Sequence, residues 1–151
     1  MNARFVNRAA RVLLAAGALT AGVGVGTPAH ANFCSPQPTP TVQLGASKGV
    51  FYEHESTTIY VSLTNSSCTN VSVDFWTSNG TALSGTDYVG IAKVRLTFTP
   101  GQTMKQFVVA GVDDNVQEDR KYFQLNLANA AGATISPLAP KWVAVDGAEP
   151  Q

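Results

Sequence analysis

The sequence predicts an all-β fold: a two-sheet antiparallel Greek-key sandwich of the immunoglobulin-like kind, with about seven strands, preceded by a signal peptide. Three observations support this fold class. Short β-branched and aromatic runs alternate apolar with polar residues through most of the chain after residue 41. Clusters of Gly, Ser, Asn and Pro separate the runs. No run shows helical periodicity of useful length, so two packed sheets are the expected architecture.

The strands are expected where this alternation is clearest. Ile59, Val61 and Leu63 alternate with polar neighbours, and Val71, Val73 and Phe75 repeat the pattern. The complete set of predicted strands covers 42–44, 59–63, 71–75, 94–98, 107–112, 123–127 and 142–145.

Residues 1–31 have the three-part build of a secretory signal peptide. Three arginines precede a Gly- and Ala-rich apolar run, and Ala29 and Ala31 offer small residues for cleavage before Asn32. The apolar run is too short to span a bilayer, and no later segment is apolar enough. We therefore expect bacterial-type export, a proline-rich leader over 32–41, one domain over 42–151 and no membrane span after cleavage.

Cleavage would remove three of the ten basic residues and none of the ten acidic ones, leaving a net charge of about −3. A mildly acidic domain with scattered lysines argues against a nucleic-acid partner. Cys34 and Cys68 remain, and an oxidising compartment favours a disulfide between them. Two unpaired thiols stay open, because sequence does not give the separation of the two Cα atoms.

The acidic run DDNVQED at 113–119 follows directly on a predicted strand. Because loops gather at the two ends of a sandwich, Asp87 and Asp146 are expected near Asp113, Asp114 and Glu118. Clustered carboxylates repel, and Ca²⁺, which takes six to eight oxygen ligands, would relieve that repulsion. A solvated acidic turn is the alternative.

Four segments in order resemble the Calx-beta domain: VSVDFWTSNGTALSGTDY at 71–88, LTFTPGQTMKQFVV at 96–109, VDDNVQEDRKYFQLNL at 112–127 and WVAVD at 142–146. The resemblance implies calcium ligands at one end of the sandwich. By position these are Glu53 or Glu55, Asp87, Asp113, Asp114, the Val116 carbonyl, Glu118 and Asp146.

Two departures from the family pattern bear on calcium. Lys121 replaces an expected acidic residue, and Gly147 and Ala148 stand where further aspartates are expected, with Glu149 one position late. The resemblance therefore implies weak binding of one or two ions, or none.

The function predicted from these features is an exported calcium-binding interaction or scaffolding module with an unknown protein or glycan partner. A metal-free structural or adhesive sandwich is the alternative, and Trp76, expected on an outer sheet face, adds the option of carbohydrate binding. No nucleophile, base and orienting group can be assembled, because His54 is the one histidine after the signal peptide. We predict that the protein is not an enzyme.

Overall fold

The computed structural model describes residues 37–147. The predicted signal peptide, its cleavage position, most of the leader and Cys34 lie outside these residues, as do Ala148 and Glu149. Within 37–147 the chain forms strands and no helix, so nothing there provides a helix that could cross a membrane. The strands are β1 (Thr41–Ala46), β2 (Val50–Tyr52), β3 (Ser56–Leu63), β4 (Val71–Asn79), β5 (Val94–Phe98), β6 (Met104–Ala110), β7 (Lys121–Ala131), β8 (Thr134–Ile135) and β9 (Lys141–Asp146).

These strands form two sheets, which confirms the all-β sandwich. One sheet has the order β6-β3-β1-β8 and the other the order β2-β9-β7-β4-β5. The seven predicted strands correspond to β1, β3 to β7 and β9, whereas β2 and β8 were not predicted. Strands of two or three residues are too short to show an alternating pattern.

The prediction of purely antiparallel sheets is wrong for two strand pairs. β1 pairs with β8 in parallel, and β2 pairs with β9 in parallel, so both sheets are mixed. The two short strands that the alternation did not reveal are therefore the same strands that break the antiparallel rule. Each lies at the edge of its sheet, where few hydrogen bonds are needed to hold it.

Aromatic side chains fill the core near one end of the sandwich. The ring of Phe123, on β7, stacks on Tyr88 with a centroid distance of 4.2 Å and meets Phe51 edge to face at 6.3 Å. All three rings are fully buried, and burial of each contributes about 2 kcal/mol. This packing fixes the backbone at Tyr88 and Phe51, beside which the acidic residues described next are located.

Candidate metal site

Three carboxylates from distant parts of the sequence meet at one end of the sandwich. Glu53 follows β2, Asp87 lies between β4 and β5, and Glu118 lies just before β7. One oxygen from each of them lies within 4.8 Å of the others. We call Glu53, Asp87 and Glu118 the carboxylate trio.

Asp87 is held by the loop that carries the sequence TDY. Its Oδ2 accepts a hydrogen bond from the Leu83 amide at 2.6 Å, and its side chain is almost completely buried. The neighbouring Tyr88 is anchored in the core, where its hydroxyl donates to Asn79 Oδ1 at 3.0 Å. The aromatic anchor and the amide together fix the position of the Asp87 carboxylate, whose other oxygen, Oδ1, lies 2.8 Å from Lys121 Nζ.

Glu53 is buried to about the same degree as Asp87. Its side chain is 3% exposed, and Oε2 has no hydrogen-bond partner among the described residues. Its amide donates to the carbonyl of Asp146 at 3.1 Å. Gly111 allows a close approach on the other side, because a Cβ on that residue would lie 2.3 Å from the Glu53 carbonyl oxygen.

The electrostatic surroundings of Glu53 disfavour its charged form. Burial raises the pKa of the Glu53 carboxyl, and the nearby charges of Glu118, Asp114 and Asp87 raise it further. Lys121 opposes them and lowers the pKa. A buried carboxylate with an unpaired oxygen and acidic neighbours is costly unless a cation compensates it.

Lys121 provides one such cation. Its ammonium donates to Asp87 Oδ1 at 2.8 Å and forms a close ion pair with Glu118. Lys121 is the first residue of β7 and pairs with Val145 of β9, whose side chain is buried. The hydrogen bonds to Asp87 and Glu118 raise the pKa of the Lys121 ammonium well above its ordinary value, so it stays charged at neutral pH.

The adjacent Arg120 holds a different carboxylate. Its guanidinium makes a two-pronged ion pair with Asp146, with Nε to Oδ1 at 2.6 Å and Nη2 to Oδ2 at 2.8 Å. Asp146 was expected among the ligands, but this pair engages both its carboxylate oxygens. The sequence analysis gave no role to Arg120, which directly precedes β7, because its pairing with Asp146 joins positions 26 residues apart.

The two alternative candidates, Glu53 and Glu55, have different surroundings in the structure. Glu55 accepts from the Lys48 ammonium at 2.7 Å and from the Tyr52 amide at 3.2 Å, and these bonds lower the pKa of its carboxyl. Glu53 is the one of the two that joins the trio.

The acidic turn, Asp113 and Asp114, is exposed and does not belong to the trio. Asp113 Oδ1 accepts from the Asn115 amide at 2.8 Å, and Asp114 Oδ1 accepts from the Val116 amide at 2.9 Å. Both carboxylates thus stabilise their own turn, in which Asn115 adopts a positive φ of 59°. Val116 is also exposed.

Gly147 has a packing role that its sequence position does not reveal. It is buried, and a Cβ on it would lie 2.5 Å from the Glu118 amide nitrogen. An aspartate could not enter here without moving the backbone that carries Glu118. The absence of a side chain at Gly147 therefore allows the end of β9 to lie close to the backbone of Glu118.

The chemistry of the trio fits a hard divalent cation. All three side chains offer oxygen, which Ca²⁺ prefers, and Glu53 Oε2 is buried without a partner. The side chains of Lys121 and Glu118 are 26% and 27% exposed, so the trio is not sealed from solvent. A cation at the trio would replace that ammonium as the partner of Asp87 and Glu118.

Two mixed sheets packed as a sandwich, with carboxylates converging at one end, define an all-β module with a candidate cation site. Residues 39–146, which make up most of the chain, match the Calx-beta domain. The chain therefore belongs to the Calx-beta domain family.

Individual relatives agree with this assignment. The chain is 41% identical over 61 residues to the sodium/calcium exchanger Calx of Drosophila melanogaster, a match that covers 40% of this chain and 6% of the exchanger. The structure of the apo-form Calx CBD1 domain matches with a TM-score of 0.62 and 27% identity, covering 72% of this chain and 98% of that domain. The calcium binding domain CBD12 of CALX1.1 matches with a TM-score of 0.60 and 28% identity, over 70% of this chain and 44% of that one.

Proposed function

We propose that this protein is a non-catalytic module that binds Ca²⁺ at the carboxylate trio in competition with the ammonium of Lys121. The observation that carries the proposal is Glu53 Oε2, a buried acceptor without a hydrogen-bond partner among the described residues, beside Asp87 and Glu118. Buried acceptors are rarely left unpaired in this way, and a bound ion is one of the few things that would satisfy this one.

Calcium is favoured over other metals by the donor atoms. The trio offers oxygen ligands alone, whereas zinc and copper sites usually include imidazole or thiolate. The similar domain CBD12 of CALX1.1 is named as a calcium binding domain, which supports the same ion here. Glu53, Asp87 and Glu118 would hold the ion, and Asp114, whose charge already acts on Glu53, is a candidate for completing the shell.

Affinity is expected to be modest. Lys121 must give up its bonds to Asp87 and Glu118, and Asp146 is held by Arg120. Both features reduce the number of carboxylate oxygens and the negative charge that are available to the ion. We expect a dissociation constant of about 10⁻⁴ to 10⁻³ M, the range of extracellular calcium modules.

Thermal unfolding in EDTA and in millimolar CaCl₂ tests the proposal, because an ion bound by the native state alone raises the melting temperature. Glu53 and Glu55 provide a matched pair two residues apart, one inside the trio and one paired with Lys48. We expect E53Q to abolish the calcium-dependent rise and E55Q to keep it. A rise of equal size in E53Q, or no rise in the parent protein, would contradict calcium binding at the trio.

A second function has its own supporting observation. Lys121 already neutralises part of the trio, so the fold can serve as a metal-free structural or adhesive module in which the ammonium is the permanent counter-ion. Under this alternative CaCl₂ leaves the melting temperature of the parent unchanged.

Export and the disulfide form a separate part of the proposal. The signal-like build of residues 1–31 supports secretion, and an oxidising destination favours the bridge between Cys34 and Cys68. Intact mass spectrometry of the exported protein should show an N-terminus at Asn32, and non-reducing peptide mapping should recover the two cysteines linked. A retained leader or two alkylatable thiols would contradict it.

A further inference from the structure

The outer face of the five-stranded sheet carries a second feature, independent of the carboxylate trio. The side chain of Trp142, on β9, is 53% exposed, although an indole usually buries a large area. It pairs with Gln124 of β7 in the sheet register. A large exposed aromatic ring on a strand that is paired in the sheet calls for an explanation beyond packing.

The Trp142 ring is supported from below. A Cβ added to Gly80, just beyond β4, would lie 2.7 Å from Trp142 Cζ3. The indole therefore extends across β7 and rests against the backbone at Gly80. Because this contact already restricts the ring, a ligand that stacks on it pays little additional conformational entropy.

Polar groups lie between this ring and a second indole. Trp76 is opposite Asn126 in the register, and about 13 Å of strand separates it from Gly80. Asn126 Nδ2 donates to Ser78 Oγ at 2.9 Å, and Gln124 lies on the same face. Within 37–147 the side-chain amide of Gln124 makes no hydrogen bond, so both its donor and its acceptor are available to a ligand.

The charge on this face is also distinctive. Asp74 is neutralised by Arg95 at 2.9 Å, and the Lys93 ammonium lies 4.5 Å from the centroid of the Trp76 ring without an ion pair among the described residues. The face thus presents aromatic rings, amides, a hydroxyl and one positive charge that rests on an aromatic ring and not on a carboxylate, in a domain whose overall charge is negative. Free carboxylates are absent from the part of this face formed by β4, β7 and β9.

We propose that this face binds an extended β-1,4-linked polysaccharide, with Trp142 as the main stacking ring. The apolar C–H face of a sugar ring would pack on the indole, and its equatorial hydroxyls would bond to Gln124 and Asn126. Lys93, beside Trp76, accommodates neutral sugars and favours those with a carboxylate. A flat sheet face suits an extended chain better than a deep pocket does, and the site works without the carboxylate trio.

Calorimetric titration with cellohexaose and with a β-1,4-linked mannuronate hexamer tests the proposal. We expect at least one of them to bind, W142A to bind at least about tenfold more weakly, which is about 1.4 kcal/mol, and W142F to lie between. Q124A should show a smaller loss. V108A is the matched control, because Val108 is equally open on the other sheet.

Urea unfolding of W142A and W142F checks that the fold is intact, and a folded W142A that binds like the parent would overturn the proposal. So would the absence of binding to both hexasaccharides. Titrations in EDTA and in CaCl₂ should give the same affinity. Because polysaccharide binding is measured with and without calcium, its loss can be distinguished from a loss of calcium binding at the trio.

Discussion

The carboxylate trio and the acidic turn contain the same kind of residue but differ in almost every physical respect. Glu53 and Asp87 of the trio are buried, Asp87 and Glu118 share Lys121, and one oxygen of Glu53 has no partner among the described residues. Asp113 and Asp114 of the turn are exposed and accept hydrogen bonds from amides of their own loop. A high density of acidic residues in the sequence thus identifies the exposed turn, whereas burial of carboxylates from distant parts of the chain identifies the candidate site.

The largest effect is expected from K121M, which removes the internal cation of the trio and keeps the aliphatic stem. Breaking a fully buried ion pair costs more, but the Lys121 ammonium is partly exposed, so we expect a loss of about 2 kcal/mol in unfolding free energy in EDTA. Urea denaturation measures it. Calcium should restore more stability to K121M than to the parent protein, since the ion no longer competes with an ammonium.

K48M is the matched control for this experiment. It removes a lysine from an exposed ion pair with Glu55, so its effect should be small and insensitive to calcium. Equal losses of unfolding free energy in K121M and K48M would show that Lys121 contributes no more to stability than a lysine in an exposed ion pair does.

An intermediate effect is expected from E53Q in EDTA. Because burial and acidic neighbours raise the pKa of Glu53, the folded protein binds this proton more tightly than the unfolded chain does. The ionised carboxylate therefore destabilises the fold at pH 7. This destabilisation decreases as the pH falls through the raised pKa of the folded protein, and it is absent below 4.5, the ordinary pKa of the unfolded chain. E53Q should be more stable than the parent by about 1 kcal/mol at pH 7.

Chemical denaturation of E53Q and the parent over a range of pH measures this difference. Glu55 and Asp74, whose pKa values are lowered, contribute the opposite pH dependence to both proteins and cancel in the comparison. A difference that stays constant from pH 7 to pH 4 would contradict the assignment of the raised pKa to Glu53.

The smallest effect is expected from the double variant D113N and D114N. Asparagine keeps the side-chain oxygen that accepts from the Asn115 and Val116 amides, so the turn is retained. Stability in EDTA should change by less than about 0.5 kcal/mol. In calcium titrations the variant should bind somewhat more weakly, through loss of the Asp114 charge near Glu53, while keeping the thermal response that E53Q loses.

Most of the architecture could be predicted from alternation, because β3, β4 and β7 each bury one face and expose the other. The edge strands β2 and β8 could not, since two or three residues show no period. Their parallel pairing depends on contacts between residues far apart in the chain, which a local pattern does not record.

The sequence predicted a larger set of acidic residues than the structure brings together, and it did not predict their arrangement. Asp87 and Glu118 were expected near one another, and the structure brings them together with Glu53. The sequence did not separate them from Asp113 and Asp146, because hydrogen bonds to local amides and the ion pair with Arg120 are decided by side-chain geometry. Lys121 was recognised as a departure from the family pattern, but its bonds to both carboxylates required the fold.

The hydrogen bond from the Glu53 amide to the carbonyl of Asp146 has a consequence for the order of assembly. It joins a residue in the first half of the domain to the last residue of β9, with Asp87 and Glu118 contributed by the stretches between. A chain that emerges from its N-terminus contains Glu53 early, yet the trio closes only when β9 is in place. Ion binding at this end would therefore be a signature of the completed domain, absent from fragments that lack β9.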